Sequence, residues 1–118
     1  MSLTIKDDRR GDILVVHLSG RLDTATSRVF EDHLATHLGQ GRENMIIDLG
    51  HVDYVNSYGL RVFLLMAKKL KARRDGLILC GLTPDVRKIF QISGFDKILT
   101  ISDASAETFG AATGGAGG

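Results

Sequence analysis

Short runs of aliphatic and β-branched residues recur along this chain, separated by segments in which apolar residues return every three or four positions. That alternation constrains the fold more than any other feature, because runs of the first kind read as strands and segments of the second kind as helices. Ile13 to Leu18, Ile-Leu-Val-Val-His-Leu, is a strand ended by Ser19-Gly20 and preceded by a turn at Arg10-Gly11-Asp12, so residues 2 to 8 are expected to pair with it as a hairpin. From Thr26 to Leu38, Val29, Phe30, Leu34, Ala35 and Leu38 fall at helical spacing, and Gly39 and Gly41 follow as stop signals. Asn44 to Leu49 reads as a short strand and Val52 to Val55 as a second apolar stretch.

Ser57 opens the next helical pattern as its expected N-cap, with Leu60, Phe63, Leu64, Ala67 and Leu70 on one face and an end near Arg73. Asp75-Gly76 turns the chain into the strand Leu77 to Cys80. Thr83-Pro84-Asp85 then supplies a cap, a proline at the first helical position and an acid in the first turn of a third helix, with Val86, Ile89 and Phe90 inward. Ser93-Gly94 ends it. Lys97 to Ile101 reads as a final strand, and Asp103 as the cap of a last helix from about Ala104 to Phe109. An initial hairpin followed by alternating helices and strands favours an α/β layered domain: a mixed sheet of four to five strands covered by about four helices.

At 118 residues the chain has the size of one domain and can bury one core without disulfides or metal. That domain is expected to span 1–109. Residues 110–118 hold five glycines among alanine and threonine, too little side chain to offset ordering entropy, so a flexible tail is expected there. A net charge of +1 gives no field suited to nucleic acid. The cations Lys68, Lys69, Lys71, Arg73 and Arg74 sit near a helix C-terminus, where they complement the macrodipole. No stretch approaches the roughly 18 apolar residues of a membrane span, and no signal-peptide core opens the chain; the expected location is cytoplasmic, with no membrane or nucleic-acid partner.

Residues that could carry catalysis lack partners at the required spacing. His33 and His37 lie four apart and could clamp a metal, yet His-Leu-Ala-Thr-His lacks the glutamate of a zinc-hydrolase motif; no metal or other cofactor is expected. Gly39-Gln40-Gly41 fits no phosphate loop, and His17 and His51 have no partner pattern. Cys80 sits in an apolar strand without a motif histidine or second cysteine, which reads as core. The protein is therefore not expected to be an enzyme. Ser57 differs, because a hydroxyl at a helix N-terminus faces unpaired backbone N–H groups, and phosphorylation would add about −1.5 to −2 charges where negative charge is favoured. From position alone, a plain capping serine is the commoner reading.

Asp48-Leu49-Gly50-His51-Val52-Asp53-Tyr54-Val55-Asn56-Ser57-Tyr58-Gly59-Leu60 resembles the central motif of STAS-domain anti-sigma factor antagonists, in which an Asp-Ser-Ser/Thr-Gly-Leu segment opens a helix. Leu18 to Thr26 resembles the family's Gly-Xaa-Leu-Asp turn, and Pro84 to Phe95 its third-helix segment ending Ser-Gly-Phe; the resemblance spans roughly residues 2 to 109. It implies the STAS fold, with Ser57 as phosphoacceptor. It further implies a partner surface that includes Asp23, Thr24, Asn56, Ser57, Tyr58, Gly59 and Arg61, with Asp23 and Asp53 near Ser57. The family works by partner switching: the unphosphorylated antagonist binds an anti-sigma factor that is also a serine kinase, phosphorylation releases it, and a serine phosphatase resets it. ATP then belongs to the kinase, and the free antagonist is expected to be a monomer. Asn56 stands where phosphorylated members usually carry Asp, Tyr58 where they carry a small hydroxyl residue, and Arg61 at an often small position. Asn56 and Tyr58 suit an alternative, a phosphorylation-independent STAS module serving as a transporter accessory subunit or a scaffold in a sensory complex, whereas Arg61 could equally pair with a phosphate.

Overall fold

The N-terminal hairpin forms around Gly11-Asp12, and it is longer than its apolar run. In a computed structural model that describes residues 2–38, 44–72 and 76–107, β1 (Leu3–Arg10) pairs antiparallel with β2 (Ile13–Leu22), from Leu3 opposite Gly20 to Arg10 opposite Ile13. Then follow α1 (Thr24–Leu38), β3 (Asn44–Val55), α2 (Ser57–Ala72), β4 (Leu77–Cys80), α3 (Pro84–Ser93), a 3-10 turn at Phe95–Lys97 and β5 (Ile101–Ser102). The tail expected over 110–118, the stop glycines Gly39 and Gly41, and Arg73 to Asp75 lie outside the described residues.

The five strands stand in the sheet in sequence order, and all pairs after the hairpin are parallel. Parallel crossovers are right-handed, so a sheet that always grows in one direction receives every crossover helix on the same face. The main core accordingly joins Leu14, Val16 and Leu18 of β2 to Phe30 and Leu34 of α1, Phe63 and Leu70 of α2, and Val86 and Phe90 of α3. Phe63 links the three helices, its ring 5.5 Å from that of Phe30 and 5.9 Å from that of Phe90. The opposite face carries a smaller cluster of Val15, Ile46 and Cys80, covered by Ala106.

Several sequence expectations need correction. Asn44 to Val55 is one strand, because the break read at Gly50-His51 is a bulge. The ladder to β2 shifts register between His17 and Ser19 and again between Gly20 and Arg21, each time admitting one extra residue on β3. Each extra residue lengthens the inward repeat from two to three, so that Met45, Ile47, Leu49, Val52 and Val55 all face the core. On α2, Val62 and Met66 are buried while Leu64 and Ala67 are only half-buried, since this central helix is enclosed by α1 and α3 as well as by the sheet. Of the apolar residues at helical spacing on α1, Phe30 and Leu34 are buried, whereas Val29 is 58% exposed and Ala35 is exposed too.

The final strand is only Ile101–Ser102, because Phe95–Lys97 winds into a 3-10 turn after Gly94, which takes the left-handed conformation at φ 79°. Three α-helices occur among the described residues where about four were expected. Ala106 and Glu107 are helical, Ala104 and Ser105 are not, and Thr108 and Phe109 of the expected last helix lie outside the described residues. Asp103, expected as its cap, pairs with Arg87 at 2.7 Å, and in the bend ahead of the helical residues the Ala104 N–H donates to the Ser102 hydroxyl.

Candidate functional site

The starts of α1 and α2 meet at one end of the sheet, where β2 and β3 finish side by side with Leu22 opposite Val55. At α1, Asp23 and Thr26 cap reciprocally: the Thr26 N–H donates to Asp23 Oδ1 and the Asp23 N–H to Thr26 Oγ1, both at 2.9 Å. These bonds hold the Asp23 carboxyl below its ordinary range, the Thr26 backbone N–H being the largest influence. The carboxylate is thus committed to its own helix.

At α2 the cap is Asn56 and not Ser57. Asn56 Oδ1 accepts from the Gly59 N–H at 3.0 Å and its carbonyl from the Leu60 N–H at 3.1 Å, which makes Ser57 the first helical residue. Two adjacent residues of capping type compete here, and a further bond decides: the Asn56 N–H donates to the Leu22 carbonyl at 2.9 Å, fixing Asn56 in line with the end of β2. Its Nδ2 donates to Thr24 Oγ1 at 3.3 Å, so the cap of α2 also ties α2 to the first residue of α1.

Gly59 allows the two helices to start this close together. A Cβ at this position would stand 3.0 Å from Val55 Cγ1 and 3.1 Å from both Leu22 Cβ and Ser27 Oγ, all in the packed interior. With that side of the first turn pressed inward, Ser57 is exposed, Arg61 is exposed one turn further on, and Tyr58 packs half-buried against the core. No acid lies in the first turn of α2.

The site residues expected from sequence therefore divide. Asp23, Thr24, Asn56, Ser57 and Arg61 are brought to one surface around the two helix starts, whereas Gly59 and much of Tyr58 lie beneath it. Asp53 is exposed on β3, three residues before the cap. An unexpected addition is Arg21, whose guanidinium lies 4.5 Å from the ring centroid of half-exposed Tyr54 on the neighbouring strand. Their register positions were not legible before the second bulge was known.

Other candidate chemistry is disposed of by its surroundings. Burial, and then the nearby carboxylates of Asp48 and Glu107, push the Cys80 thiol up to about 11, which keeps it protonated and unreactive at neutral pH. His17 Nδ1 lies 2.7 Å from Asp48 Oδ2, a paired histidine on the sheet face opposite the helices. His33 and His37 share an acceptor that sequence spacing could not reveal, Asp7 on β1.

A family model of the STAS domain matches residues 4–108. The chain is a STAS-domain protein. It is 38% identical over 104 residues to BtrV of Bordetella bronchiseptica, covering 88% of each chain, and 31% identical over 112 residues to the anti-sigma-B factor antagonist of Listeria monocytogenes, covering 93% of this chain and 96% of the relative. Among solved structures, the anti-sigma factor antagonist SpoIIAA in its unphosphorylated form superposes with a TM-score of 0.79 at 25% identity over 97% of both chains. The STAS chain thus combines a five-stranded mixed sheet carrying an N-terminal antiparallel hairpin, as the resemblance implied, with three α-helices among its described residues on one face. No helix among its described residues is long and apolar enough to cross a membrane.

Proposed function

We propose that this STAS protein is an anti-sigma factor antagonist that acts by partner switching, with Ser57 as the phosphorylated residue. The carrying observation is the placement of Ser57: an exposed hydroxyl at the first helical position of α2, where the helix supplies no acid of its own. The first-turn N–H groups of Ser57 and Tyr58 are among those an α-helix leaves unpaired, so a phosphate attached there meets backbone donors and the positive end of the macrodipole. Phosphorylation then adds charge without melting the helix, and the altered surface rejects a partner that docks across the two helix starts.

In this reading the unphosphorylated form binds an anti-sigma serine kinase through Asp23, Thr24, Asn56 and the exposed edge of α2. The kinase contributes ATP and the catalytic groups, and a serine phosphatase returns Ser57 to its free hydroxyl. The antagonist itself catalyses nothing. Relatives carrying the antagonist name along nearly their full length support the role, and the fold likeness extends to SpoIIAA in its phosphorylated form, with a TM-score of 0.71 and 25% identity over 91% of this chain and 95% of that one.

Two observations favour the second reading, a STAS module that binds without being phosphorylated. Asn56 fills the cap with a neutral side chain, and Tyr58 is anchored in the core where a kinase would otherwise meet a small residue. Incubating the protein with ATP and each candidate serine kinase from its genome, then mapping phosphate by mass spectrometry beside Ser57→Ala, separates the two. Phosphate on Ser57, absent from the variant and accompanied by release of the kinase, is the expected result. Stable complex formation with no phosphate overturns partner switching and establishes the phosphorylation-independent module.

A further inference from the structure

A second cluster of chemistry-bearing side chains stands well away from Ser57, between α1 and the edge of the sheet. Asp7 shares the face of β1 on which Leu3 and Ile5 pack against the core, so its carboxylate is directed at the helix layer. His33 and His37, four apart, stand on one face of α1 above it. His33 Nε2 lies 2.9 Å from Asp7 Oδ1 and 3.0 Å from Oδ2, and His37 Nε2 lies 2.9 Å from Oδ2, with the two rings 5.3 Å apart and edge-on. All three ligand-type atoms fall within 4.8 Å of one another.

We propose that Asp7, His33 and His37 form a binding site for a late first-row divalent cation such as Zn(II), set where the edge strand β1 meets the second half of α1. Two imidazole nitrogens and one carboxylate oxygen converge on a single small volume. Around a tetrahedral zinc ion with bonds near 2.0–2.2 Å, neighbouring ligand atoms stand about 3.3–3.5 Å apart. Contacts of 2.9–3.0 Å therefore need to open by only a few tenths of an ångström, within the reach of side-chain torsions. The donor set excludes the hard cations, since magnesium and calcium take six or more oxygens, and it suits zinc, copper, nickel or cobalt.

The side chains of Asp7 and His33 are each 31% exposed and that of His37 is 17% exposed, which leaves an entry path and room for water as a fourth ligand. His37 Nδ1 is buried without a hydrogen-bond partner among the described residues. A ligating histidine normally anchors its second nitrogen, so the expected affinity is micromolar and not that of a closed structural site. The ion would clamp β1 to α1. From Thr24 to His33 is nine residues, about 13 Å along the helix, so the site is separate from the surface around Ser57.

The test uses the untagged full chain and zinc alone. In competition with a colorimetric zinc chelator, one equivalent binds in the micromolar range, and both His33→Ala and Asp7→Asn weaken it by at least about tenfold. Zinc also raises the melting temperature of the parent by more than that of either variant at the same concentration, because binding to the native state stabilises it by mass action. Circular dichroism of the variants establishes that they are folded. A parent that takes up no zinc at millimolar concentration overturns the proposal, and so does a folded His33→Ala chain that binds as tightly as the parent, since the ion would then sit on other residues.

Discussion

The helices α2 and α3 begin in the same layer, yet their first turns are completed in different ways. At α3 the Thr83 hydroxyl accepts from the Val86 N–H at 3.3 Å, Pro84 removes a donor that would have no partner, and Asp85 places a carboxylate in the first turn. At α2 a neutral asparagine caps, no acid follows, and the first helical residue is an exposed serine. Val86 occupies the third position of α3 fully buried, whereas the third position of α2 admits only a hydrogen, at Gly59. The chain supplies everything the start of α3 requires. It leaves about half an elementary charge uncompensated at the start of α2, pressed against its neighbours below and open to solvent above.

The contrast can be attacked at several points, beginning with the tightest. Gly59→Leu, which puts at α2 the kind of side chain α3 carries as Val86, drives its Cβ against Val55, Leu22 and Ser27; a loss of about 2–3 kcal/mol in urea unfolding is expected. Under the proposed partner switching, Ser57→Asp imitates part of a phosphate charge and should weaken binding to the anti-sigma kinase by about tenfold or more in a calorimetric titration. Removing either cap, by Asn56→Ala or Thr83→Ala, should cost about 1 kcal/mol of stability. Only the Asn56 change also frees α2 from Thr24, so it alone should reduce partner binding.

Smaller still are the pure charge effects, which should have opposite signs. Ser57→Asp stabilises folding by about 0.3–1 kcal/mol even as it weakens docking, whereas Asp85→Asn destabilises by a similar amount. The cap of α1 supplies a titrating counterpart. The Asp23 carboxyl is held below its ordinary value in the folded chain, so its contribution is fully present above the unfolded value near pH 4 and is lost as pH falls through the lower folded value. Asp23→Asn keeps the cap but removes the proton, and should flatten the acid limb of the stability profile measured by thermal melts. Asn56 already lacks that slope.

These comparisons also indicate what the sequence could convey. The start of α3 was legible because Thr83, Pro84 and Asp85 each act within one turn of the chain, and β2 because its apolar residues are contiguous. The cap of α2 was misassigned to Ser57 by one residue, since Asn56 and Ser57 are both capping types and the deciding bond comes from Leu22, a residue of β2. β3 reads as two stretches because its two bulges interrupt the period of two by which a strand is recognised, giving the inward residues Leu49, Val52 and Val55 a spacing of three. Asp7 stayed invisible as the partner of His33 and His37 for a similar reason: the pairing exists only once β1 is laid beside α1, 26 and 30 residues away in sequence.

The sequential strand order bears on how the protein is made. A nascent chain leaving the ribosome presents β2 to β1, then β3 to β2, then β4 to β3, so each new strand finds its template already exposed and never waits for a later segment. Sticky edges are covered soon after they appear. In the folded sheet one border is the two-residue β5 and the other is β1, whose Lys6, Asp7, Asp8, Arg9 and Arg10 discourage a second chain from adding on. Neither border then offers a second copy a long, uncharged strand to pair with.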